Sequence, residues 1–264
     1  MKVPIRMITV ATWFFWIVLI IFSISAIYSM KNMSVDLGKP ETTITPDNEL
    51  VLTFPIEIVN NGYYNLNDFN VSTEIRDMQN STIAQGFTFM PVIERAETLN
   101  ITHQMRINLT DMLQTHQYLI FNDTELQVHA TVAMKAAGLI SLQVSSNLTI
   151  PWGPPLYNLT FGTPKFTLQI SPNSTRFYRV AIPTAFENHA SFDLNGTIQL
   201  GIYNDRNVLT WTAKIVLNAP RQSTYSADLN FDVPGPDVST NGRFEAFFET
   251  SFLNYGPVVI PYGS

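Results

Sequence analysis

Past one long apolar run near its start, the chain alternates apolar and polar residues with a period of two. Leu50, Leu52, Phe54, Ile56 and Ile58 fall on one face of an extended segment. Phe69, Val71, Thr73 and Ile75 oppose Asn70, Ser72, Glu74 and Arg76, and Leu126, Val128, Ala130, Val132 and Met134 oppose Glu125, Gln127, His129 and Thr131. The same holds for Phe192, Leu194, Gly196, Ile198 and Leu200 against Asp193, Asn195, Thr197 and Gln199, and Phe244, Ala246, Phe248 and Phe252 continue it. Period two over such stretches predicts antiparallel strands with one buried and one wet face. Turns are expected at the Asn-Gly pairs 61–62, 195–196 and 241–242 and at Pro234-Gly235-Pro236. Helical patterning is confined to "TDMLQTH" (110–116), with Thr110 as its expected N-cap.

The apolar run, residues 7–28 ("MITVATWFFWIVLIIFSISAIY"), contains no charge. As a helix it would be about 33 Å long, against about 30 Å for a bilayer core. Lys2 and Arg6 precede it and Lys31 follows. That bias predicts a cytoplasmic head (1–6), a single-pass signal anchor (7–28) and a body outside the cell membrane. The competing reading is a cleaved signal peptide, for which "SISA" (23–26) offers small residues, although the apolar core exceeds the usual length. Either way the chain from residue 32 onward lies outside the cytoplasm.

The exterior chain reads as doubled. "VDLGKP" (35–40) resembles "LTFGTP" (159–164), and "FNVSTEI" (69–75) resembles "LNGTIQL" (194–200), matching Asn70 to Asn195. Downstream, Gly138 with Trp152-Gly153-Pro154 matches Gly242 with Tyr255-Gly256-Pro257 at a shorter offset, as though the second copy had lost about twenty residues. Two tandem β-sandwich domains follow, 32–155 and 156–264, with Trp152 and Tyr255 each closing its own domain.

This order of elements resembles the late embryogenesis abundant group 2 family, whose unit is also called the WHy domain. Members of that family carry an Asn-Pro-Asn-like turn after the first long strand. Here those stretches read "VNNGYYNLND" (59–68) and "FENHASFDL" (186–194), without the proline. The resemblance implies an all-β fold of two small antiparallel sandwiches like fibronectin type III domains. It also implies membrane-proximal binding roles and a lipid-handling groove, and it carries over no catalytic residue.

Composition narrows the setting. Hydrophobic residues make up 45% of the chain but charged residues only 14%, against about 25% for soluble domains in general. There is no cysteine, which excludes disulfides and thiolate sites and fits an archaeal or bacterial surface protein, with the sequons below favouring the archaeal one. Asn-X-Ser/Thr sequons stand at Asn32, Asn70, Asn80, Asn100, Asn108, Asn122, Asn147, Asn158, Asn173 and Asn195. Chance placement of 22 Asn among 44 Ser and Thr would give about four. The excess predicts a glycoprotein. From residue 32 onward, 12 basic and 21 acidic side chains leave a formal charge of −9, the wrong sign for nucleic acid.

Candidate chemistry is sparse. His103, His116, His129 and His189 share no metal-ligand spacing. Asp228, Asn230 and Asp232 faintly resemble a calcium loop, but Val233 and Ser239 stand where an EF-hand needs Gly and Glu. No nucleophile elbow, P-loop, dinucleotide fingerprint or zincin motif is present. The expectation is a non-enzyme without cofactor or metal: an anchored structural or interaction module of the cell envelope, with a protein partner or a homo-oligomer. The alternative is a lipid or other apolar ligand, for which "GFTFM" (86–90) and "EAFFETSF" (245–252) could line a groove. Phe247, on the polar face with Arg243, Glu245 and Glu249, reads as an interface residue.

Overall fold

The computed structural model describes residues 3–39 and 41–263. Met1 and Lys2, the start of the expected head, and Pro40 lie outside the described residues. The chain opens with helix α1 (Val3–Met30) and is otherwise almost entirely β. The strands are β1 (Met33–Leu37), β2 (Glu41–Ile44), β3 (Glu49–Asn60), β4 (Leu66–Arg76), β5 (Thr82–Ile93) and β6 (Glu97–Asn108). A short helix, α2 (Leu109–Thr115), precedes β7 (Thr124–Ala136) and β8 (Ile140–Trp152). Then come β9 (Tyr157–Phe161), β10 (Lys165–Ile170), β11 (Arg176–Asn188), β12 (Leu194–Asn204), β13 (Leu209–Ala219), β14 (Ser223–Pro234), β15 (Gly242–Thr250) and β16 (Asn254–Tyr262).

Strand pairing repeats along the chain. β1 and β2 both pair with β3, which also pairs with β6; β9 and β10 both pair with β11, which also pairs with β14. The facing sheets have the orders β5-β4-β7-β8 and β13-β12-β15-β16. By contacts the chain forms two compact units. Unit 1 holds residues 1–44, 50–106 and 127–149, and unit 2 holds 45–49, 107–126 and 150–264. The sequence reading placed one boundary at 155/156, whereas 45–49 and 107–126 pack with the second unit. Unit 1 closes over Ile56, Ile58, Leu66, Phe69, Val71 and Ile93. Unit 2 closes over aromatic rings: Phe161 and Phe186 meet Phe248, and Phe166 and Phe231 meet Phe244.

The repeat has an atomic signature. Asn60, fully buried at the end of β3, donates through Nδ2 to the carbonyls of Tyr64, Ile93 and Glu94, and its Oδ1 accepts from Gly62 N–H. Asn188, fully buried at the end of β11, donates to the carbonyls of Phe192, Ala219 and Pro220, and its Oδ1 accepts from Ala190 N–H. Each carboxamide closes the turn that follows it and ties that turn to the next hairpin. The N–H of the following residue then bonds the chain entering the unit: Asn61 to the Asn32 carbonyl at 3.1 Å, and His189 to the Pro154 carbonyl at 2.9 Å.

These contacts shift the match between the two copies. The clamps place the copies 188 − 60 = 128 residues apart, with Leu66 opposite Ile93 and Leu194 opposite Ala219. A bulge at Asp68, whose φ is +53°, adds one residue to β4, so Val71 answers Ile198 at an offset of 127. Matching Asn70 to Asn195 slipped the copies by two residues. A slip of two leaves strand alternation in phase, so the pattern cannot detect it. The missing length is also smaller: Ile75 pairs with Val128 and Ile202 with Phe244. The copies are therefore 116 residues apart at that point, a loss of eleven. Much of this reflects the connection carrying α2, which β14 and β15 replace with a short turn.

The Gly-Pro phrases are not equivalent either. Trp152 ends β8, whereas Tyr255 is the second residue of β16. Both belong to unit 2. Trp152 Nε1 donates to the Leu119 carbonyl at 2.8 Å, and Tyr255 packs edge-on against Phe121 at 4.9 Å. Asn195-Gly196 is no turn but lies inside β12, because Gly196 lets the Glu249–Thr250 backbone of β15 approach closely. The short helix is capped by Asn108, whose Oδ1 accepts from Asp111 N–H at 3.0 Å, and not by Thr110.

Removing either clamp strands three carbonyls at once. Asn60→Ala and Asn188→Ala should each cost about 3 kcal/mol or more. Asn188→Ala should lower the urea midpoint reported by Trp152 fluorescence, and Asn60→Ala should raise hydrogen exchange in β3–β5. An effect below about 1 kcal/mol would remove the clamp from this role.

Candidate functional site

From residue 12 to residue 21 every side chain of α1 is exposed, including Trp13, Phe14, Phe15 and Trp16. This apolar helix has no polar face, and within the described residues its 12–30 stretch is long and apolar enough to cross a membrane. Its last turns differ. Ala26 and Ser29 are buried against unit 1. Ser25 Oγ lies 2.7 Å from Tyr64 Oη, and Ser29 Oγ accepts from Tyr63 N–H at 2.6 Å. Phe22 packs edge-on against Tyr64, and Tyr28 stacks on Tyr63 at 6.5 Å. The docking surface is the turn that Asn60 clamps. Gly62 is required there, since a Cβ would run into Ser29.

Two histidines are wired in opposite senses. His103 of β6 is buried between Thr73 and Thr88, each hydroxyl 2.9 Å from a ring nitrogen. Thr73 Oγ1 donates to Met105 Sδ at 3.4 Å, so Nε2 donates to Thr73 and Nδ1 accepts from Thr88. A neutral imidazole satisfies the whole network, and burial holds its pKa below the usual value. His189, next to the second clamp, meets Glu187 Oε2 through Nε2 at 2.9 Å and Asp123 through Nδ1 at 3.0 Å, with Tyr157 stacked on the ring at 4.5 Å. Hydrogen bonds to Glu187 and then Asp123 raise its pKa. His116 is buried against Tyr118, and exposed His129 contacts Asn147.

None of the ten sequon asparagines is buried. Asn32, Asn80, Asn100, Asn108, Asn122, Asn147, Asn158, Asn173 and Asn195 are exposed, and Asn70 is half-buried. Asn70 and Asn147 lie on the outer face of the β5-β4-β7-β8 sheet, and Asn80 in the turn beside it. That face carries a polar network in which the Arg76 guanidinium, then Thr82, hold the pKa of the half-buried Glu74 carboxyl down at about 2. An open groove of about 610 Å³ crosses it, lined by Arg76, Asn80, Gln127, His129, Asn147 and Thr149.

The remaining candidates disperse. Asp232 is engaged by Arg179 through two hydrogen bonds, and Asn230 donates to the Asp228 carbonyl. Among the described residues no group of three His, Asp or Glu side chains could hold a metal ion. The Phe-rich stretches belong to different units. Phe244 and Phe248 are core, whereas Phe87 and Phe89 stack in the open on the outer face. Phe247 is half-buried and packs against Gly256. The clamps and the helix dock escaped sequence reading, although "VNNGYY" and "ENHASF" each place Asn at the end of a long alternating strand.

No family model matches the chain, and no curated protein matches it. Among solved structures it is similar to red sea bream transglutaminase at 11% identity and a TM-score of 0.31, over 88% of this chain but only 31% of that one. It is also similar to a Mobiluncus mulieris adhesin containing intramolecular disulfide, isopeptide and ester cross-links, at 6% identity and a TM-score of 0.32, over 81% of this chain and 80% of that one. The chain spans about a third of the transglutaminase, and likeness at this level indicates nothing about activity.

The two histidines set opposite pH responses. His103, lowered on folding, makes unit 1 less stable as pH falls below 6.5. His189, raised on folding, makes unit 2 less stable as pH rises from 6.5 through its elevated value. Hydrogen exchange followed peptide by peptide between pH 5 and 8 should show the two slopes with opposite sign. His189→Gln should flatten the second alone.

Proposed function

We propose that the protein is a single-pass membrane protein, N-terminus inside, whose N-glycosylated β body serves outside the cell as a non-catalytic structural or interaction module. The observation that carries this is α1: exposed and apolar on every side through Ile21, yet seated by Ser25 and Ser29 on unit 1. An apolar helix with no wet face belongs in lipid. The small-residue stretch 23–26 lies inside the docked part of the helix, with Ala26 buried, which favours an anchor over a cleaved leader. Sequons on exposed positions favour glycosylation, and four histidines engaged with structural neighbours favour a non-enzyme.

The interaction role rests on β8. It is the edge of its sheet, it holds 13 residues without a charge, and it leaves Val144 and Leu148 exposed. Such an edge can accept a strand from a protein partner or a second copy. Its counterpart β16 carries Pro257 and Pro261. We relate the chain to the late embryogenesis abundant group 2 family on one feature: Asn60 and Asn188 sit where that family has its Asn-Pro-Asn-like turn.

In the native host, the protein should stay in membranes through an alkaline carbonate wash. It should also be cut by protease added outside the cell, and gain mobility on enzymatic deglycosylation. Release by carbonate would defeat the anchor, and unchanged mobility would defeat the glycoprotein reading.

A further inference from the structure

Each unit has an end formed by the clamped turn, the next hairpin turn and the last hairpin of the sheet. In unit 1 these are residues 60–65, 93–97 and 136–140, joined by Ala96 N–H to the Asn60 carbonyl, Arg95 N–H to Asn65 Oδ1 and Ala137 N–H to the Asn65 carbonyl. In unit 2 the same end is sealed. Phe192 packs on Phe252 at 4.9 Å and on Trp152 at 6.3 Å, and Ala190 and Leu253 are buried. In unit 1 it is open: Leu139, at the tip of the β7–β8 turn, is 75% exposed, and Tyr63 remains 59% exposed beneath Tyr28. Bare apolar tips on a surface that its own repeat covers need an occupant.

Helix α1 identifies it. The helix docks on this end, through Tyr63 and Tyr64. From Met7, where the uncharged run begins, to Met30 it has 24 residues, about 36 Å, only about 6 Å more than a bilayer's hydrocarbon core. The docked stretch, Phe22 to Met30, is longer than that surplus. A helix that fills the bilayer therefore brings this end of unit 1 down to the headgroups. Tyrosines are the residues favoured at that depth. Charge permits it: Lys31, Arg95 and Lys135 balance Asp68, Glu94 and Glu97 here, although the chain from residue 32 carries −9.

We propose that this end of unit 1 is a lipid-contact surface, with Leu139 and Tyr63 set among the headgroups of the bilayer that α1 crosses. The proposal rests on the anchor reading above and adds a fixed seat to it. The cysteine-free chain allows a direct test on the full-length protein in phosphatidylcholine vesicles. Single-cysteine variants Leu139→Cys, Ile20→Cys and Met78→Cys are labelled with an environment-sensitive fluorophore, and lipid nitroxide near the headgroup is the quencher. Met78 is an exposed position in the β4–β5 turn, at the opposite end of the same sheet of unit 1. The label at 139 should lose half its emission or more and shift to the blue, and the label at 78 should do neither. Quenching at 20 but not at 139 would overturn the seat and leave the anchor standing. No quenching at 20 would remove the anchor and the seat together. Tyr63→Cys gives an independent reading if Leu139→Cys fails to fold.

Discussion

A carboxamide with no water around it must find a partner for each of its polar atoms. Asn60 and Asn188 do so by binding three backbone carbonyls and one N–H each. The arrangement decides where β3 and β11 stop, how tightly the next turn is drawn, and where the following hairpin lies. Those carbonyls face inward at the edge of a core and would otherwise be costly to bury. The entry of each unit then hangs on the clamped turn, through the N–H of Asn61 or His189. In unit 1 that turn also receives α1, so the path from the apolar helix to the folded body runs through one buried side chain.

With the same clamp and strand order, the two units fill their interiors differently. Unit 1 is aliphatic around Phe69, with a neutral histidine bridging the sheets through Thr73. Unit 2 is built on Phe244 and Phe248 with rings from four other strands. Neither needs a disulfide, which accords with the absence of cysteine. Pairing rules and buried polar geometry specify the fold here, and apolar volume can be supplied by different residues.

The β class, the apolar helix and the doubling were legible because each leaves a periodic or compositional trace. Strand alternation located β3, β4, β7, β12 and β15, and not β5, β6, β8, β11, β13 and β14, of which β5, β8 and β13 carry exposed apolar positions that blur the period. The alignment between copies was not legible at single-residue precision, because period two is blind to a slip of two and the Asp68 bulge adds a third residue to the difference. Trp152-Gly153-Pro154 and Tyr255-Gly256-Pro257 misled for another reason. Aromatic-Gly-Pro suits several places where a strand ends or bends, so likeness of residues did not mean likeness of position. The clamps were hidden because Asn is ordinarily a surface residue, and only burial distinguishes Asn60 from the ten sequon positions.

The distribution of chain between the units has a consequence for the order in which they can form. Nothing in unit 1 comes from beyond residue 149, whereas unit 2 is assembled from 45–49, 107–126 and 150–264. Synthesis therefore supplies everything unit 1 requires well before unit 2 can close. During that interval Leu109, Met112, Leu113, Leu119 and Ile120, all buried in the finished protein, have no complete unit to enter. The middle of the chain is thus an apolar segment waiting for its C-terminal half. A product truncated after copy one would leave that segment uncovered, the condition under which multidomain chains aggregate.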